Sequence, residues 1–286
     1  MAKAPLALCA DDYALTPAVS AGIVEAAAAG RITATSAMVT RPHWPAAATA
    51  LAPVADRIDV GLHLNLTLGP PLSAAPRLAP GGLLPAARRL AMAAFTGALP
   101  TEEVRAEIAA QLDAFAAAMG RAPDYVDGHW HVHALPGVRG ALLAELSARG
   151  FKGWLRVPAD QPARIFRRQV QAAKAATVSA MTIGFGQAAR AARFGVNDSF
   201  AGFSGFRPAR DYGADFARFL QASGAAPLIM CHPGHVDAEL AAVDDAVASR
   251  EVELKFLLSE RLPALLEAGG LRLARLSETL AGRSPR

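Results

Sequence analysis

Carboxylates and imidazoles occur in three short groups that follow, or lie within, apolar stretches of the chain. These groups are Asp11-Asp12, His63 and the run His129-x-His131-x-His133. Neutral imidazole together with carboxylate is a common ligand set for a divalent metal ion. Side chains at the ends of parallel strands converge in space even when they are far apart in sequence. The pattern therefore predicts a metal-dependent hydrolase.

The adjacent aspartates Asp11 and Asp12 end an apolar run that starts at Pro5. Two neighbouring carboxylates repel each other and are costly in a protein interior unless a cation or a proton relieves them. Successive side chains of a strand point to opposite faces, so at a strand end one can bind metal while the other faces substrate. The alternative is that one of them caps the next helix, but Thr16 already takes that position.

The histidines from His129 to His133 are spaced two residues apart, so in an extended chain they share one face. His63 stands between apolar residues, and alone it is more typical of a hydrogen-bonded core residue. The second cluster changes that interpretation, because each of three buried rings would need its own partner. The His-x-His spacing indicates metal binding instead, since both rings can reach one ion.

His232 follows the apolar run 228–231 and is followed at once by Pro233-Gly234, which ends the strand. The ordinary histidine pKa of about 6.5 suits a general acid near neutral pH. His235 lies in the loop beyond this corner, where a solvated side chain is the simple interpretation.

Arg156 places a charge inside the apolar run 155–157. A buried guanidinium requires a carboxylate partner. Asp11 and Asp127 are the two candidates.

Alternating strand and helix patterns are expected to position these residues. Strands are predicted over residues 5–10, 32–39, 58–64, 125–130, 154–157, 227–231 and 271–276. Helices are predicted over residues 17–29, 44–51, 102–119, 137–149, 162–186, 211–223 and 251–268. The alternation favours a parallel (β/α) barrel of the TIM type, distorted or incomplete, over an open doubly wound sheet. Segments 69–84 and 186–207 are predicted to be irregular rims or lids.

Length and composition favour one domain over residues 1–286, since 52% of the residues are hydrophobic. Two cysteines, Cys9 and Cys231, are too few for a disulfide framework and are predicted to be buried free thiols in a reducing compartment. The net charge of +4 comes from scattered arginines, which does not indicate nucleic acid. A cytoplasmic protein without a membrane span is predicted, because no apolar run approaches ~20 residues. The sequence does not indicate an oligomeric state.

Four motifs occur in an order and spacing that resemble the YdjC-like carbohydrate deacetylases of the ChbG and HpnK type. The motifs are Ala10-Asp-Asp-Tyr-Ala-Leu15, Gly61-Leu-His-Leu-Asn-Leu-Thr67, Asp127-Gly-His-Trp-His-Val-His133 and Met230-Cys-His-Pro-Gly234. The resemblance covers about residues 5 to 280. It implies a distorted barrel similar to that of the polysaccharide deacetylases. It also implies removal of the acetyl group from an N-acetylated amino sugar, in an oligosaccharide or glycoconjugate, with release of acetate.

The resemblance further implies one divalent metal ion, magnesium or zinc. The implied ligands are Asp12, His63 and His129. Asp11 matches the general base, and His232 matches the proton donor to the leaving amine. Arg156 falls where an arginine could orient the base.

Two departures from the family pattern bear on the sugar site. Tyr13-Ala14 replaces the usual Phe-Gly, and Gly128-His-Trp-His replaces a more common Ser-His-His-His. Tyr13 and Trp130 are therefore predicted to line the sugar site. His131 and His133 are predicted to face the substrate or to support the metal ligands, with His131 on the same strand face as His129.

Two alternative functions stay open from the sequence. The first is a barrel-type metal-dependent phosphoesterase, which also uses His-x-His and aspartates but usually holds two or three metal ions. The second is a non-catalytic sugar-binding relative that kept the pocket and lost activity.

Overall fold

A single parallel sheet organises the protein, and the computed structural model describes residues 3–282 of it. The predicted domain of residues 1–286 thus extends beyond the described residues at both ends. The strands are β1 (Ala4–Tyr13), β2 (Ala34–Ala37), β3 (Asp59–Leu64), β4 (Tyr125–Gly128), β5 (Trp154–Leu155), β6 (Gly195–Val196), β7 (Ser199–Ala201), β8 (Pro227–Cys231) and β9 (Leu271–Leu273). Every strand pair that they form is parallel.

The sheet curves into an incomplete barrel. Its order is β6-β5-β4-β3-β2-β1-β8-β7, with β9 beside the start of β1. The two edge strands, β6 and β7, are separated only by Asn197 and Asp198. The stretch 195–201 therefore pairs with β5 at its start and with β8 at its end. The predicted incomplete (β/α) barrel is confirmed.

Helices connect the strands and cover the sheet. They are α1 (Pro17–Ala28), α2 (Trp44–Leu51), α3 (Ala87–Thr96), α4 (Thr101–Met119), α5 (Val138–Ala148), α6 (Pro162–Arg168), α7 (Ala172–Met181), α8 (Phe185–Ala191), α9 (Tyr212–Phe219), α10 (Leu240–Val243), α11 (Ala248–Leu258), α12 (Arg261–Ala268) and α13 (Leu276–Ala281). Thr16 caps α1 as predicted, because its hydroxyl accepts a hydrogen bond from the Val19 amide.

The central strand β1 buries both of its faces, as parallel strands covered by helices do. Leu8 on one face belongs to the large core shared with the helices. Cys9 on the other face packs in a smaller cluster with Tyr125 and Trp154, whose rings stack 3.9 Å apart. Burying one such leucine contributes about 1.5–3 kcal/mol. Asp11 and Asp12, near the end of β1, thus lie on a strand that packs against apolar clusters on both faces.

Two predicted elements end earlier than the sequence pattern suggested. The strand predicted over 125–130 stops at Gly128, and the histidine run that follows is a kinked 3-10 segment, His129–Ala134. The helix predicted over 251–268 is divided at Ser259. Pro263 explains the division, because a proline ring in a continuous helix would clash with the carbonyl group four residues earlier.

The second half of the chain holds the other differences. Segment 186–207, predicted to be irregular, contains β6 and β7. The helix predicted over 162–186 is broken by Gln169 and Gln171, which have left-handed φ angles of 58° and 47°. The last predicted strand, 271–276, is confined to β9, which pairs with the start of β1. Segment 69–84 lacks helix and strand, as predicted.

Two composition-based predictions can also be compared with the structure. Cys9 and Cys231 are buried free cysteines, as expected. Within residues 3–282, no helix combines the length and hydropathy needed to cross a bilayer.

Candidate functional site

The three predicted metal ligands meet at the carboxyl-terminal ends of β1, β3 and β4. Asp12 Oδ1 lies 3.0 Å from His129 Nδ1 and 3.3 Å from His63 Nε2. One ligand atom from each of the three residues lies within 4.8 Å of the other two. We call these residues the Asp12 group. Their spacing is close enough for all three to contact one ion.

A distortion of β1 turns its two aspartates in different directions. The pairing register between β1 and β2 shifts between Ala10 and Tyr13. Asp12 has a left-handed φ of 68°, which is costly for a residue with a Cβ atom. Asp12 then faces the two imidazoles, while Asp11 faces Arg156. The adjacent carboxylates therefore point in different directions, as the sequence pattern predicted for a strand end.

His63 is oriented from behind by polar groups of neighbouring strands. Its Nδ1 lies 2.6 Å from Asp127 Oδ1 and 3.0 Å from Ser36 Oγ. Burial alone lowers the pKa of His63, but Asp127 and Asp12 outweigh burial and raise that pKa to about 10. In the absence of a metal ion both ring nitrogens of His63 are therefore protonated. A bound metal would replace the proton on Nε2.

The donors of the Asp12 group fit a divalent cation. One carboxylate oxygen and two imidazole nitrogens are the three protein ligands typical of catalytic zinc sites, and a mixed N/O set also suits Mn²⁺, Co²⁺ or Mg²⁺. A ligating histidine usually donates its other ring N–H to a carboxylate. His63 makes this contact with Asp127.

The second oxygen of Asp12 is held by a buried arginine. Arg250 Nη2 donates to Asp12 Oδ2 over 2.7 Å, and Arg250 also forms an ion pair with Asp244. The Arg250 side chain is inaccessible to solvent. Burial disfavours the charged form of Asp12, but Arg250 and His129 hold the pKa of that carboxyl well below its ordinary value. Asp12 is therefore ionised at neutral pH.

A second cluster lies beside the first and comprises Cys9, Asp11, Asp127 and Arg156; we call it the Asp11 group. Arg156 Nη1 and Nη2 each lie 2.6 Å from an oxygen of Asp11. Arg156 Nη2 also lies 2.6 Å from Asp127 Oδ2. Both carboxylates named as candidate partners of Arg156 are thus its partners. Burial raises the pKa of Asp11, but the Arg156 guanidinium outweighs burial and holds that pKa below its ordinary value.

Arg156 makes the Asp11 group unsuited to a metal ion. Cys9, Asp11 and Asp127 also place ligand atoms within 4.8 Å of one another. The cation at their centre is already a guanidinium, and burial raises the pKa of the Cys9 thiol well above its ordinary value. A protonated thiol is a poor ligand. Of the two clusters, only the Asp12 group has donors free for a metal.

His232 lies directly after β8 and lines the same cavity as the two aspartates. Its backbone N–H donates to Glu253 Oε2 over 2.7 Å, and its Nδ1 has no hydrogen-bond partner among residues 3–282. Burial lowers the pKa of His232 to about 4. Its imidazole is therefore neutral at pH 7 in the metal-free protein.

The other two histidines of the run do not share a face with His129. Trp130 and His131 adopt left-handed φ angles of 54° and 57°, which turn the chain after His129. His131 lines the cavity and packs against Phe200 and Phe203, with its ring nearly perpendicular to both of theirs. The prediction of three histidines on one strand face is therefore wrong.

His133 is fully buried, and its Nε2 donates to the backbone carbonyl of Arg156 over 2.8 Å. Burial lowers its pKa to about 4, so the ring is neutral. The predicted alternative that His133 faces the substrate is wrong, because the side chain does not line the cavity. Its contact instead supports the backbone at Arg156, directly after β5.

The two predicted aromatic contacts have opposite outcomes. Trp130 lines the cavity and is 58% exposed. Tyr13 is fully buried, and its hydroxyl donates to the Ala47 carbonyl over 2.6 Å. The prediction that Tyr13 contacts the sugar is therefore wrong, because its ring turns away from the cavity into the core.

One cavity of about 590 Å³ is lined by the predicted base Asp11, the predicted proton donor His232 and the Asp12 group. Such a volume is within the range of small-molecule sites. Its polar lining includes Asp11, Asp12, His63, His129, His131 and His232. Apolar side chains of α3 and α7 also line it, among them Ala91, Val178 and Met181. His235 lies outside this lining, is exposed as expected, and pairs with Glu25.

Sequence reasoning missed three polar residues that support the site. Arg250 binds Asp12 across 238 positions of sequence, and no spacing rule links the two. Glu253, one turn further along α11, accepts from the His232 amide. Ser36 had a usable signal, because it is a polar residue inside the predicted strand 32–39.

With the geometry defined, comparisons with known proteins identify the family. The sequence model of a family described as YdjC-like protein matches residues 5–268. This chain belongs to the YdjC-like family.

Named relatives of this YdjC-like chain include animal and bacterial proteins. Carbohydrate deacetylase of Homo sapiens is 31% identical over 306 residues, covering 96% of this chain and 90% of that protein. Chitooligosaccharide deacetylase of Klebsiella pneumoniae (strain 342) is 32% identical over 269 residues, covering 92% of this chain and 94% of that protein. Carbohydrate deacetylase of Mus musculus is 40% identical over 165 residues, which span 54% of this chain and 51% of that protein.

A solved structure shares the fold of this YdjC-like chain. It is a proposed cellobiose-phosphate cleavage protein from Enterococcus faecalis V583. The TM-score is 0.72 at 24% sequence identity, and the alignment covers 98% of this chain and 100% of that chain. The likeness supports the barrel architecture described above.

Proposed function

We propose that this chain is a metal-dependent carbohydrate N-deacetylase, which hydrolyses the acetamide of an N-acetylated amino sugar to acetate and a free amine. One observation carries the proposal. Asp12, His63 and His129 surround a common point in a cavity that is also lined by Asp11 and His232. The names of the relatives, carbohydrate deacetylase and chitooligosaccharide deacetylase, support the substrate class.

The Asp12 group would hold the metal ion in this proposal. A bound divalent ion supplies a positive charge that polarises the amide carbonyl and acidifies a water molecule. Asp11 is ionised and lines the cavity, so it accepts the proton of the attacking water. Arg156 fixes both oxygens of Asp11 and thereby sets the direction from which that carboxylate contacts the water.

His232 protonates the departing nitrogen in this proposal. Its imidazole is neutral at pH 7 in the metal-free protein, because burial lowers its pKa to about 4. His232 must therefore take up a proton from solvent before it donates one to the amine, and Asp11 returns the proton that it accepts from the water to solvent. The ionised Asp11 and Asp12 favour that protonated form. Trp130, half in solvent at the cavity wall, is placed to stack on a pyranose ring.

One observation disfavours the phosphoesterase alternative. Two-metal phosphoesterases hold their ions about 3.5–4 Å apart. The cluster next to the Asp12 group has a guanidinium at its centre rather than free carboxylates. The geometry therefore supports a site for one ion.

The experiment that tests the proposal compares two products in one protein preparation. We expect acetate release from N-acetylglucosamine oligomers or from an N-acetylglucosamine glycoconjugate, and no phosphate release from phosphosugars. Chelation should abolish acetate release, and separate additions of Mg²⁺, Zn²⁺, Mn²⁺ and Co²⁺ should identify the ion that restores it. Phosphate release without acetate release would refute the deacetylase. Sugar binding without either product would favour the non-catalytic alternative.

A further inference from the structure

Asp12 offers its two oxygens to different partners. Oδ1 faces His129 Nδ1 at 3.0 Å and His63 Nε2 at 3.3 Å. Oδ2 accepts from Arg250 Nη2 at 2.7 Å. A free carboxylate can bind a cation through one oxygen or through both. In this structure only Oδ1 is available to an ion placed between the imidazoles.

Arg250 is held rigidly and does not reach the cavity. Its Nε donates to the Ala246 carbonyl over 2.8 Å, and its Nη2 is shared by Asp12 and Asp244. The residue is fully buried, and it is absent from the lining of the cavity. Arg250 can therefore influence the chemistry in the cavity through Asp12, the cavity-lining carboxylate that it binds.

We propose that Arg250 is a positioning residue that restricts Asp12 to one-oxygen coordination of the metal ion. Three protein bonds then leave coordination positions for water and for the substrate carbonyl, which a catalytic site requires. This inference rests on the proposed metal site, but it concerns how the carboxylate is held and is independent of which sugar is hydrolysed.

The test replaces the guanidinium by a neutral, unbranched side chain, Arg250→Met, and uses Co²⁺ as the probe. The variant frees Oδ2 and removes a nearby positive charge, so Co²⁺ should bind about tenfold more tightly. The visible absorption of bound Co²⁺ should weaken, because higher coordination numbers give weaker d–d bands. Turnover at saturating metal should fall about 10–100-fold.

Arg168→Met is the matched control. Arg168 is also buried and paired, with Asp160 and backbone carbonyls as its partners, but it does not line the cavity. Its loss should destabilise the fold without changing the affinity or the spectrum of Co²⁺. If Arg250→Met instead binds Co²⁺ more weakly with an unchanged spectrum, Arg250 is merely structural and the inference is overturned.

The wild-type protein gives a second test that does not depend on whether Arg250→Met folds. A crystal structure of the Co²⁺-loaded wild type should show one Asp12 oxygen in the coordination sphere and Arg250 on the other. Two Asp12 oxygens bound to the ion would overturn the inference. Absence of acetate release from every N-acetylated sugar would refute the proposed function alone, since all of these metal measurements would still stand.

Discussion

The Asp11 group and the Asp12 group differ in how one buried arginine meets each carboxylate. Arg156 contacts both oxygens of Asp11, whereas Arg250 contacts one oxygen of Asp12 and leaves the other facing two imidazoles. Both clusters bring potential ligands within the same distance of each other. Proximity of potential ligand atoms is therefore insufficient to define a metal site. The free oxygen decides which cluster can bind an ion.

Asp127 connects the two clusters. Its Oδ1 lies 2.6 Å from His63 Nδ1, and its Oδ2 lies 2.6 Å from Arg156 Nη2. One buried carboxylate thereby orients both a predicted metal ligand and the arginine that holds the predicted base. The two clusters have different roles but share one support.

The largest expected effect comes from Asp11→Asn, which removes the predicted base without touching the Asp12 group. We expect turnover to fall about 10²–10⁴-fold, the usual contribution of a general base. The Co²⁺ affinity should stay within about threefold of wild type, which isothermal titration can measure.

Asp59→Asn is the control for this variant. Asp59 is a buried carboxylate bonded to Trp154 and Ser277, and it does not line the cavity. It should keep both turnover and metal affinity. A fully active Asp11→Asn protein would show that the base is assigned to the wrong residue.

Arg156→Met should convert the Asp11 group into an acidic site. Removing one partner of a buried ion pair costs about 3–5 kcal/mol, because Asp11 and Asp127 lose their counter-charge. The free energy of urea unfolding should fall by this amount without metal, and the Co²⁺ stoichiometry should rise from one to two. Arg105→Met, which breaks an exposed pair with Glu145, should change neither quantity. An unchanged stoichiometry would mean that Arg156 is not what excludes the second ion.

His63→Ala should weaken metal binding at the Asp12 group, whereas Arg156→Met should create a new site in the Asp11 group. Loss of one of three ligands should weaken Co²⁺ binding by more than about 100-fold, beyond the effect typical of supporting residues. His235→Ala removes an exposed histidine paired with Glu25 and serves as the control. Equal Co²⁺ affinities for the two variants would exclude His63 as a ligand.

The pH dependence of metal binding should report the proton on His63. Because the metal-free pKa is about 10, the ring is protonated at pH 7 and must lose that proton to bind metal. The affinity for Co²⁺ should therefore rise about tenfold per pH unit between pH 6 and pH 8. Titration calorimetry in buffers of different ionisation enthalpy should show about one proton released. Binding that is independent of pH would contradict the assigned protonation state.

The smallest expected effect is at the cavity wall. Trp130→Ala should raise KM by about tenfold or less while leaving kcat unchanged, because the ring binds the sugar without taking part in proton transfer. Tyr13→Phe should leave KM unchanged, since its hydroxyl donates to the buried Ala47 carbonyl and does not line the cavity. A larger KM effect for Tyr13→Phe than for Trp130→Ala would reverse this assignment.

The sequence predicted what depends on strand ends and on charge balance. Apolar runs followed at once by Asp11-Asp12 or by His232 indicated where parallel strands bring side chains together. Arg156 within an apolar run required a carboxylate, and the structure pairs it with both candidates. These inferences rest on rules that hold for any sequence, namely the common direction of parallel strands and the cost of an unpaired buried charge.

What the sequence missed depends on backbone conformation and on distant contacts. The His-x-His run was predicted to be extended, yet Trp130 and His131 adopt left-handed conformations. Neither is a glycine or asparagine, the residue types that would have indicated such a conformation. Gln169 and Gln171 also break a predicted helix with left-handed conformations that their residue type does not indicate. Arg250 reaches Asp12 from a helix 238 positions away. Such features are imposed by tertiary packing, which local residue preferences do not encode.

The position of the metal ion is the most direct test of this account. Anomalous diffraction from crystals grown with Co²⁺ should give one strong peak, about 2.0–2.2 Å from Asp12 Oδ1, His63 Nε2 and His129 Nδ1. A peak between Asp11 and Asp127 with Arg156 displaced, or no peak near any of these residues at saturating Co²⁺, would contradict it.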